Sequence, residues 1–415
     1  MDGAKTLKCS ARNRKFNWPI PLTIVSIGLK SLRIMRIGIV APEFPPDIGG
    51  VETYAHEFSS ELARRGVQVY VFTRPHAKGE ISGPGFEVLP LLKLQYAPDR
   101  ELLTKHVMDV WHVMNASYAW MALETRPLVI SVHGNDFISP YFLPKKPCLP
   151  RLPYLWRFES QIGRPRAVLW RRSVLREMRS GLANASQVIT NSEYTRNLLL
   201  QYVPSCEKNS SVGYVGVGDD FLHVRHRSCG TNESKRLTTV CRLAEPRKNV
   251  DKTLEALAQL KRYQFKFTVV GDGFLRPTLE SLCQKLGLDD RVEFTGVISK
   301  GEIQQLLCSS DLFILTSEVL PNSVEGFGIA YLEANACGTP VLAAKSGGAA
   351  EAVSEGKSGY FVNQPTVPGI TAALERYLKG EIHFKRADCQ AFASQFNWAR
   401  VVDHAMRFYP SPRIS

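Results

Sequence analysis

A strand–helix alternation that occurs twice is the feature of this sequence that most restricts its fold. The first series begins with "RIGIVAP", a run of apolar and β-branched residues, and continues with the helical pattern "VETYAHEFSSELARRG" and the strand pattern "VQVYVFT". A second series begins at "RLTTVCRL" and continues with the helical pattern "DKTLEALAQLKR". Such alternation predicts βαβ units around a parallel sheet. A chain of 415 residues is long enough for two domains of this kind.

The predicted fold is therefore α/β, with two tandem Rossmann-like, doubly wound domains that face each other across a cleft. We divide the chain into a basic N-terminal extension (1–34), an N-terminal domain (35–218), a C-terminal domain (219–392) and a C-terminal segment (393–415). Tandem domains of this type bind ligands between them, at the carboxyl ends of the strands.

The positive charge is concentrated in two segments. The net charge is +13, of which residues 1–36 carry +7 and residues 145–180 carry +8, so the other residues are close to neutral. The first segment has Lys30 and Arg33 where a signal peptide would have small residues. We therefore expect it to be a disordered extension, or to precede a natural start at Met35; a targeting segment is the alternative.

The second basic segment contains apolar residues among arginines at helical spacing, in residues 164–180. This pattern suits either an amphipathic helix on an anionic membrane surface or an ordinary helix with a buried face, and we keep both alternatives. No apolar run reaches the roughly 18 residues of a membrane span. We expect a cytoplasmic protein, with peripheral contact to the inner face of a membrane through this segment and no nucleic-acid partner.

Several cofactor and metal patterns are absent from the sequence. The nine cysteines are scattered without C-x-x-C pairs, which argues against a disulfide framework or a zinc site. No G-x-G-x-x-G follows the first strand, and "GDGFLRP" lacks the third glycine, so a nicotinamide dehydrogenase is disfavoured. The P-loop pattern is absent as well.

Two glutamates, Glu325 and Glu333, lie eight positions apart in the mostly apolar stretch 323–341. A helix predicted for "IAYLEANAC" places Glu325 at its start and Glu333 inside it, about 12 Å apart along the axis. Paired glycosidase carboxylates lie roughly 5–9.5 Å apart, so the wider spacing suits the two ends of a nucleotide sugar better. The free N–H groups of the helix start favour a phosphate. A surface helix with two incidental acids is the alternative.

This stretch, with "GTPVLAAKSGGAAEAV" after it, closely resembles the signature of the retaining, nucleotide-sugar-dependent glycosyltransferases of family 4, also called group 1. Members of this family have the two-domain GT-B architecture, and the resemblance extends from Met35 to Tyr409. It implies that the C-terminal domain binds the donor, that the N-terminal domain binds the acceptor, and that the last helix crosses back to the N-terminal domain. In that helix, Trp398 would be a packing anchor.

The resemblance also assigns roles to residues of the C-terminal domain. Glu333 would accept hydrogen bonds from the ribose hydroxyls, and Glu325 would contact the transferred sugar. The residues whose backbone would meet the diphosphate are Phe327, Gly328 and Ile329. Gly271 and Gly273 match the glycine turn near the nucleotide, with a plain tight turn as the alternative.

The motif "VCRLAEPRKN" supplies the cations that the resemblance places on the diphosphate, Arg242 and Lys248, with Arg247 as a competitor for the second role. Cations at this position stabilise the charge that develops on a nucleoside diphosphate leaving group. We therefore expect no metal ion and no cofactor besides the donor.

In the N-terminal domain, the glycine-rich loop before the first helix contains Gly49 and Gly50, which the resemblance places near the donor phosphate and the acceptor. His133 would lie in the cleft near the reacting sugar, and Asp136 is a weaker candidate in the same loop. Glu351 matches a glutamate that we interpret as structural support.

The predicted function is transfer of a hexose-type sugar, with retention and without a metal, from a UDP- or GDP-linked donor to a glycan or lipid-linked acceptor. Two alternatives stay open. One is a nucleotide-sugar epimerase of the same fold, and the other is a non-catalytic partner that binds anionic surfaces through the basic segments.

Overall fold

The computed structural model describes residues 34–75, 85–138, 142, 156–222, 234–321 and 323–411, and of residues 156–167 only the backbone. The predictions made for residues 1–33 lie outside the described residues, as does much of the basic segment before residue 168.

The first sheet is formed by the N-terminal half of the chain. Its strands are β1 (Arg36–Val40), β2 (Gln68–Phe72), β3 (Glu87–Leu89), β4 (Val110–Val113), β5 (Leu128–Val132), β6 (Gln187–Thr190) and β7 (Ser210–Val212). They are all parallel, in the order β3-β2-β1-β4-β5-β6-β7. The four residues of β4 and the five of β5 are buried throughout, as expected for strands covered on both faces.

The second sheet repeats this arrangement in the C-terminal half. Its strands are β8 (Lys235–Val240), β9 (Phe265–Val270), β10 (Val292–Gly296), β11 (Leu312–Leu315), β12 (Val341–Ala344) and β13 (Gly359–Val362). They are parallel, in the order β10-β9-β8-β11-β12-β13. The prediction of two tandem doubly wound α/β domains is confirmed.

Helices connect the strands and cover the sheets. They are α1 (Gly50–Arg64), α2 (Tyr96–Thr104), α3 (Trp156–Asn184), α4 (Glu193–Tyr202), α5 (Asp219–Leu222), α6 (Val250–Ala258), α7 (Arg276–Lys285), α8 (Lys300–Ser309), α9 (Ile329–Ala336), α10 (Val367–Leu378), α11 (Arg386–Ala393) and α12 (Trp398–Met406). Local sequence explains several of their starts. Ser192 caps α4 by accepting from the Thr195 N–H, and Ser299 with Glu302 forms a capping box on α8.

Each sheet has one point at which the strand order reverses, between β1 and β4 in the first and between β8 and β11 in the second. In open parallel sheets, ligands bind at the carboxyl ends of the strands at this point, because neighbouring connections leave the sheet on opposite sides there. The loops after β1, β4, β8 and β11 are therefore the parts of this fold that are best placed to bind a ligand.

One hydrophobic core cluster contains residues from both halves of the chain, among them Ile37, Phe327 and Trp398. Helix α12 packs against α1, where the Trp398 and Tyr54 rings lie 5.3 Å apart. The segment after α11 thus returns to the N-terminal domain, and Trp398, 3% exposed, packs as the family resemblance implies.

The helix predicted within the second basic segment is present as the C-terminal part of α3. Val174 and Met178 are buried in the core, whereas Val168 and Leu169 are 50% and 63% exposed. Both alternatives for this segment therefore keep some support. Among the helices of the described residues, none combines the length and the apolar character that crossing a bilayer requires.

Candidate functional site

The structure brings most of the predicted site residues together in the cleft, because they occupy loops at the carboxyl ends of strands. Arg242 and Lys248 follow β8, and Glu325 follows β11. From the other domain, Gly49 follows β1 and His133 follows β5. The side chains in these loops range from the half-exposed Arg242 to the buried Glu325.

Glu325 is the centre of a buried charged cluster. Its Oε2 atom accepts from Lys248 Nζ at 2.6 Å, from Arg247 Nη1 at 2.8 Å and from Ser317 Oγ at 3.1 Å. Burial acts to raise the pKa of this carboxyl group, but Lys248 and Arg247 together lower the pKa to about 2. Glu325 is therefore an anion under all ordinary conditions, and none of the three contacts uses its Oε1 atom.

The same cluster separates the roles of Arg247 and Lys248. Arg247 is only 8% exposed in its side chain, and it contacts Ser323 through Nε, Glu325 through Nη1 and Glu245 through Nη2. Its donor groups are thus used within the protein. Lys248 donates one of its three N–H groups to Glu325, and its other N–H groups can donate to a ligand. Of the two, Lys248 is the better candidate for the diphosphate.

Arg242 reaches from the C-terminal domain to the N-terminal domain. Its Nη2 atom donates to the Ile48 carbonyl at 2.6 Å and to Glu52 Oε1 at 3.0 Å. A Cβ atom on Gly49 would lie 2.3 Å from that nitrogen, so only glycine permits this approach. The Arg242 side chain remains about half exposed, which leaves part of the guanidinium available to a ligand.

The N-termini of α1 and α9 meet in the cleft. The nearest atom to a Cβ built on Gly50 is Ile329 Cδ1, at 3.9 Å. Helix α9 begins at Ile329 because Gly328 adopts φ +99°, where a Cβ would lie 2.4 Å from the Tyr331 ring. The N-terminus of α1 therefore lies beside Arg242 and beside the N-terminus of α9, and the first N–H groups of each helix have no partner within that helix.

The predicted separation of Glu325 and Glu333, which assumed a continuous helix between them, was wrong. Only residues 329–336 are helical, so half of the eight-residue interval between Glu325 and Glu333 lies in an irregular loop. The rise per helical residue does not give their separation. What holds is that Glu325 precedes α9 and Glu333 lies within it.

Glu333 differs from Glu325 in its surroundings. Burial raises the pKa of Glu333 to about 7, Lys300 acts against this rise and Glu57 adds to it. Lys300 is itself engaged by Glu57 of α1, with Nζ 3.0 Å from Oε1. A carboxyl group placed this way is ready to accept hydrogen bonds from a ligand that replaces water.

His133 lies beside a close contact between the two domains. A Cβ on the adjacent Gly134 would lie 3.5 Å from the Gly326 Cα atom. Burial lowers the pKa of His133 to about 4, so its imidazole is neutral at physiological pH. The Nε2 atom is shielded from solvent and has no hydrogen-bond partner among the described residues. His133 is thus placed beside the loop of Glu325, as a neutral hydrogen-bonding group.

Other predicted residues support the site instead of facing it. Cβ atoms on Gly271 and Gly273 would lie 1.9 Å from Cys241 O and 2.4 Å from Leu243 O. The two glycines therefore pack against the backbone that holds Arg242, and their role toward the donor stays a prediction. Phe327 is 1% exposed and packs in the core, so only its backbone is available to a ligand.

Glu351 supports the structure across the domains. Its two carboxylate oxygens accept from the backbone N–H groups of Glu193 and Tyr194, at 2.8 and 2.9 Å. It thereby caps α4 of the other domain. Asp136, the weaker candidate in the His133 loop, accepts from the Ala116 N–H through Oδ2 at 2.9 Å.

A cavity of about 110 Å³ adjoins the two predicted diphosphate ligands. Its lining residues are Arg242, Leu243, Glu245, Pro246, Lys248, Val250, Asp251, Leu275, Thr278 and Leu279. A larger, shallow groove of about 560 Å³ on α2 is lined by Tyr96, Arg100 and Glu124 among others, and includes none of the predicted site residues. Within the described residues, no cluster of His, Cys, Asp and Glu side chains could hold a metal ion.

Sequence reasoning missed three participants in the site, which are Glu52, Lys300 and Ser317. Glu52 follows the glycine pair in the first turn of α1, so a search for partners of Arg242 could have included it. Lys300 and Ser317 carry no recognisable pattern. Their positions become meaningful only when the two domains are placed together.

Comparison with known proteins agrees with this geometry. Residues 48–220 match the family model "Glycosyltransferase Family 4", and residues 225–395 match "Glycosyl transferases group 1". The two matches together take up most of the chain, one in each domain. The chain belongs to the family 4 (group 1) glycosyltransferases, and it is a GT-B glycosyltransferase that acts on nucleotide sugars.

Curated relatives match over most of their length. A GDP-mannose-dependent alpha-(1-6)-phosphatidylinositol monomannoside mannosyltransferase of Mycobacterium tuberculosis is 27% identical, over 83% of this chain and 89% of the relative. A D-inositol 3-phosphate glycosyltransferase of Mycolicibacterium smegmatis is 26% identical, over 88% and 86%. Among solved structures, Anabaena HepE in complex with UDP and glucose is similar in fold, with a TM-score of 0.66, 22% identity and coverage of 90% and 98%.

Proposed function

We propose that the protein is a retaining, metal-independent hexosyltransferase that uses a UDP- or GDP-linked sugar and a glycan or lipid-linked acceptor. The observation that carries this proposal is the convergence of Arg242, Lys248 and the N-termini of α1 and α9 in one part of the cleft. Two cations and two helix N-termini suit a diphosphate, and the charge they supply is what a leaving nucleoside diphosphate requires.

The sugar and the nucleoside occupy opposite sides of this diphosphate region. Glu325, fixed as an anion through Oε2, would hold sugar hydroxyls through Oε1. Glu333, which lies about one turn inside α9, would accept hydrogen bonds from the ribose hydroxyls. The curated mycobacterial mannosyltransferase uses GDP-mannose according to its name, so GDP-mannose is the first donor to test here.

We base retention on the family resemblance, and the proposed arrangement contains no suitable protein nucleophile. Lys248, Arg247 and Ser317 stabilise the Glu325 carboxylate and lower its reactivity. His133 is neutral and has a free nitrogen. In the proposed step, the acceptor oxygen attacks C1 on the face that the diphosphate leaves. The C1–O bond to phosphate breaks, and the acceptor proton passes to the leaving phosphate oxygen.

The test is a donor panel incubated with the full chain, with and without glycan and lipid-linked acceptors. We expect acceptor-dependent release of nucleoside diphosphate, unchanged by a metal chelator, and a product with the anomeric configuration of the donor by NMR. Loss of activity with the chelator would contradict metal independence. Conversion of the donor to its epimer without acceptor would favour the epimerase.

Variants test the site itself. Lys248→Ala should abolish turnover, and Glu333→Ala should weaken donor binding, while Lys345→Ala provides a matched control because Lys345 pairs with the exposed Glu355. Arg247→Met should instead lower the free energy of unfolding by about 1–3 kcal/mol, because the buried Glu325 carboxylate loses one of its two cationic partners and keeps Lys248. Wild-type turnover in both Lys248→Ala and Glu333→Ala would refute the assignment.

Contact with an anionic membrane through residues 164–180 is a second part of the proposal. Val168 and Leu169 are exposed on α3, and Arg172 and Arg176 are exposed further along the helix. Apolar and basic groups on one helix bind anionic lipid surfaces. Flotation with vesicles of phosphatidylcholine, with and without phosphatidylglycerol, should show salt-sensitive binding that Arg172→Glu with Arg176→Glu removes. Absence of binding to both vesicle types would remove this part of the proposal.

A further inference from the structure

Three polar side chains at the carboxyl ends of neighbouring strands have no role in the donor site. Glu43 follows β1, Asn115 follows β4 and Asp136 follows β5, and these three strands are adjacent in the first sheet. Asn115 Nδ2 donates to Glu43 Oε2 at 3.3 Å. Asp136 accepts from the N–H of Ala116, the residue after Asn115. The three side chains thus form one cluster, in the same loop region as His133.

Asp136 has an unused hydrogen-bonding atom. Its Oδ1 atom is shielded from solvent and has no hydrogen-bond partner within the described part of the chain. Buried polar atoms in native proteins are nearly always paired, so an unpaired one requires an explanation. His133 Nε2 is unpaired in the same way. Two unpaired atoms in one loop, at the edge of the sheet where ligands bind, point to a ligand that supplies the missing partners.

The charge of the cluster selects the chemical class of that ligand. Burial raises the pKa of Glu43 and also that of Asp136, which reaches about 7, and neighbouring carboxyl groups add to both effects. Within the described part of the chain, the cations that act on Glu43 are Arg242, which is paired with Glu52, and Arg74, which is paired with Asp47. A further negative charge beside these two buried acids would be unfavourable, since the acids themselves resist ionisation. Neutral hydroxyls can donate to the carboxylates and accept from an amide.

We propose that Glu43, Asn115 and Asp136 form the acceptor subsite and bind two neighbouring hydroxyl groups of an uncharged ring, a sugar or a cyclitol. Carboxylate and amide side chains can each engage two adjacent hydroxyls, and polar groups built for a hydroxyl discriminate strongly against a ligand that lacks it. This inference rests on the proposed glycosyl transfer, for which it specifies the acceptor. If the acceptor has an anionic substituent, that substituent must lie away from the two hydroxyls that bind this subsite.

The test compares Asp136→Asn and Glu43→Gln with the wild type, because both changes keep the shape of the side chain. The acceptor probes are methyl α-mannoside, myo-inositol and their monodeoxy analogues. We expect the KM for a polyol to rise by about tenfold or more in each variant, as for loss of a charged hydrogen bond. Hydrolysis of the donor without acceptor is measured in parallel, and in each variant it should fall less than the polyol-dependent turnover. Glu101→Gln, on the exposed Glu101–Lys105 pair of α2, is the matched control.

Removing one hydroxyl from the acceptor sharpens the test. A monodeoxy acceptor that lacks either of the two bound hydroxyls should have a higher KM than the parent acceptor with the wild type. The same deoxy acceptor should cause little further rise in KM with Asp136→Asn, because two changes at one contact are not additive. Calorimetric titration with the same polyols should show weaker binding to Asp136→Asn than to the wild type or Glu101→Gln. Circular dichroism melting of the variants establishes that they are folded.

The outcomes separate this inference from the proposed function. If the wild type releases no nucleoside diphosphate from any donor, the proposed function fails, while selective loss of polyol binding in Asp136→Asn would still support the subsite. If the wild type hydrolyses a donor but neither binds nor glycosylates a neutral polyol, the inference alone is overturned. Unchanged KM values in both variants, or a parallel fall in donor hydrolysis, would overturn it as well.

Discussion

At Glu325, burial and neighbouring cations act in opposite directions on one carboxyl group. Burial is the largest single influence and raises the pKa, yet Lys248 and Arg247 together bring the pKa down to about 2. Because the folded-state pKa lies below the ordinary value, this carboxylate contributes stability above pH 4.5, and that contribution is lost as the pH falls toward 2. The same contacts that stabilise the fold therefore keep Glu325 charged and oriented for a ligand.

The pKa shift of Glu333 has the opposite sign to that of Glu325. The first prediction concerns the change Glu333→Gln. Burial raises the pKa of Glu333 to about 7, so the folded protein holds a proton there that the unfolded chain releases above pH 4.5. The stability of the wild type should therefore fall as pH rises from about 4.5 to 7. Glu333→Gln should remove this part of the pH dependence and raise the free energy of unfolding at pH 8 by about 1–2 kcal/mol.

Urea unfolding at pH 5 and pH 8 measures this difference. The raised pKa of Asp136 contributes a slope of the same sign, so the comparison is between wild type and variant and not between pH values alone. Glu302→Gln is a control, because Glu302 is exposed and its pKa is lowered by Ser299. Glu333→Gln should also bind the donor more weakly than the wild type. Equal stability of wild type and Glu333→Gln at pH 8 would contradict the prediction.

The residues that the sequence could predict are those that belong to short local motifs. Lys248 and Glu325 belong to recognisable motifs. Glu52 and Lys300 do not, because their partners lie in the other domain: Arg242 is 190 residues from Glu52, and Lys300 is 243 residues from Glu57. Such contacts depend on the relative placement of two domains, which local patterns do not contain.

At the scale of elements, the quoted apolar and β-branched runs predicted β1, β2 and β8, whereas β4, the strand between β1 and β5, is among the strands that were not predicted. The sequence of β4 is "VWHV", and its histidine reads as a polar interruption. In the structure His112 is buried between Ser131 Oγ and the Tyr409 hydroxyl, which pair with its two ring nitrogens. A polar residue that is satisfied by distant partners can occupy a central strand, and a period-based argument does not detect this.

The second prediction concerns the close contact of two loops, tested by Gly326→Ala. A Cβ atom at this position would lie 2.7 Å from Asn191 Nδ2 and 2.9 Å from the Gly134 nitrogen. Both distances are shorter than ordinary contacts, so the loops of Glu325 and His133 must move apart. We expect turnover to fall by about tenfold or more, because displacements near 1 Å at a reacting centre are costly.

Gly301→Ala is the matched control in the same domain. A Cβ at Gly301 meets no atom within 4 Å, and Gly301 lies in the first turn of α8. Alanine there should leave turnover unchanged and raise the free energy of unfolding by up to about 1 kcal/mol. Turnover and thermal melting are measured for both variants. If Gly326→Ala turns over as fast as Gly301→Ala, the close approach of the two loops is not required for transfer.

At the scale of the whole molecule, polar contacts hold the cleft in its present arrangement. Glu351 caps α4, Arg242 binds Glu52, and Lys300 binds Glu57, each between the two domains. Partly exposed ion pairs contribute little each, about 0–1 kcal/mol. These polar contacts are therefore individually weak enough to break and form again, and we expect the cleft to open for substrates and to close for transfer.

The last prediction is that Glu351→Ala separates donor binding from transfer. The change removes the two hydrogen bonds that Glu351 accepts from α4, while Ser192 continues to cap that helix within its own domain. Most of the proposed donor contacts lie on the C-terminal domain, so the donor Kd should change less than kcat. Transfer needs both domains around a dry cleft, so kcat should fall and the ratio of donor hydrolysis to transfer should rise. Small-angle scattering of the free proteins should give a larger radius of gyration for Glu351→Ala than for Glu355→Ala. Glu355→Ala is the control, because Glu355 pairs with Lys345 in the same domain. A donor Kd weakened as much as kcat would show that Glu351 acts on the fold of its own domain, and the account of cleft closure would then be wrong.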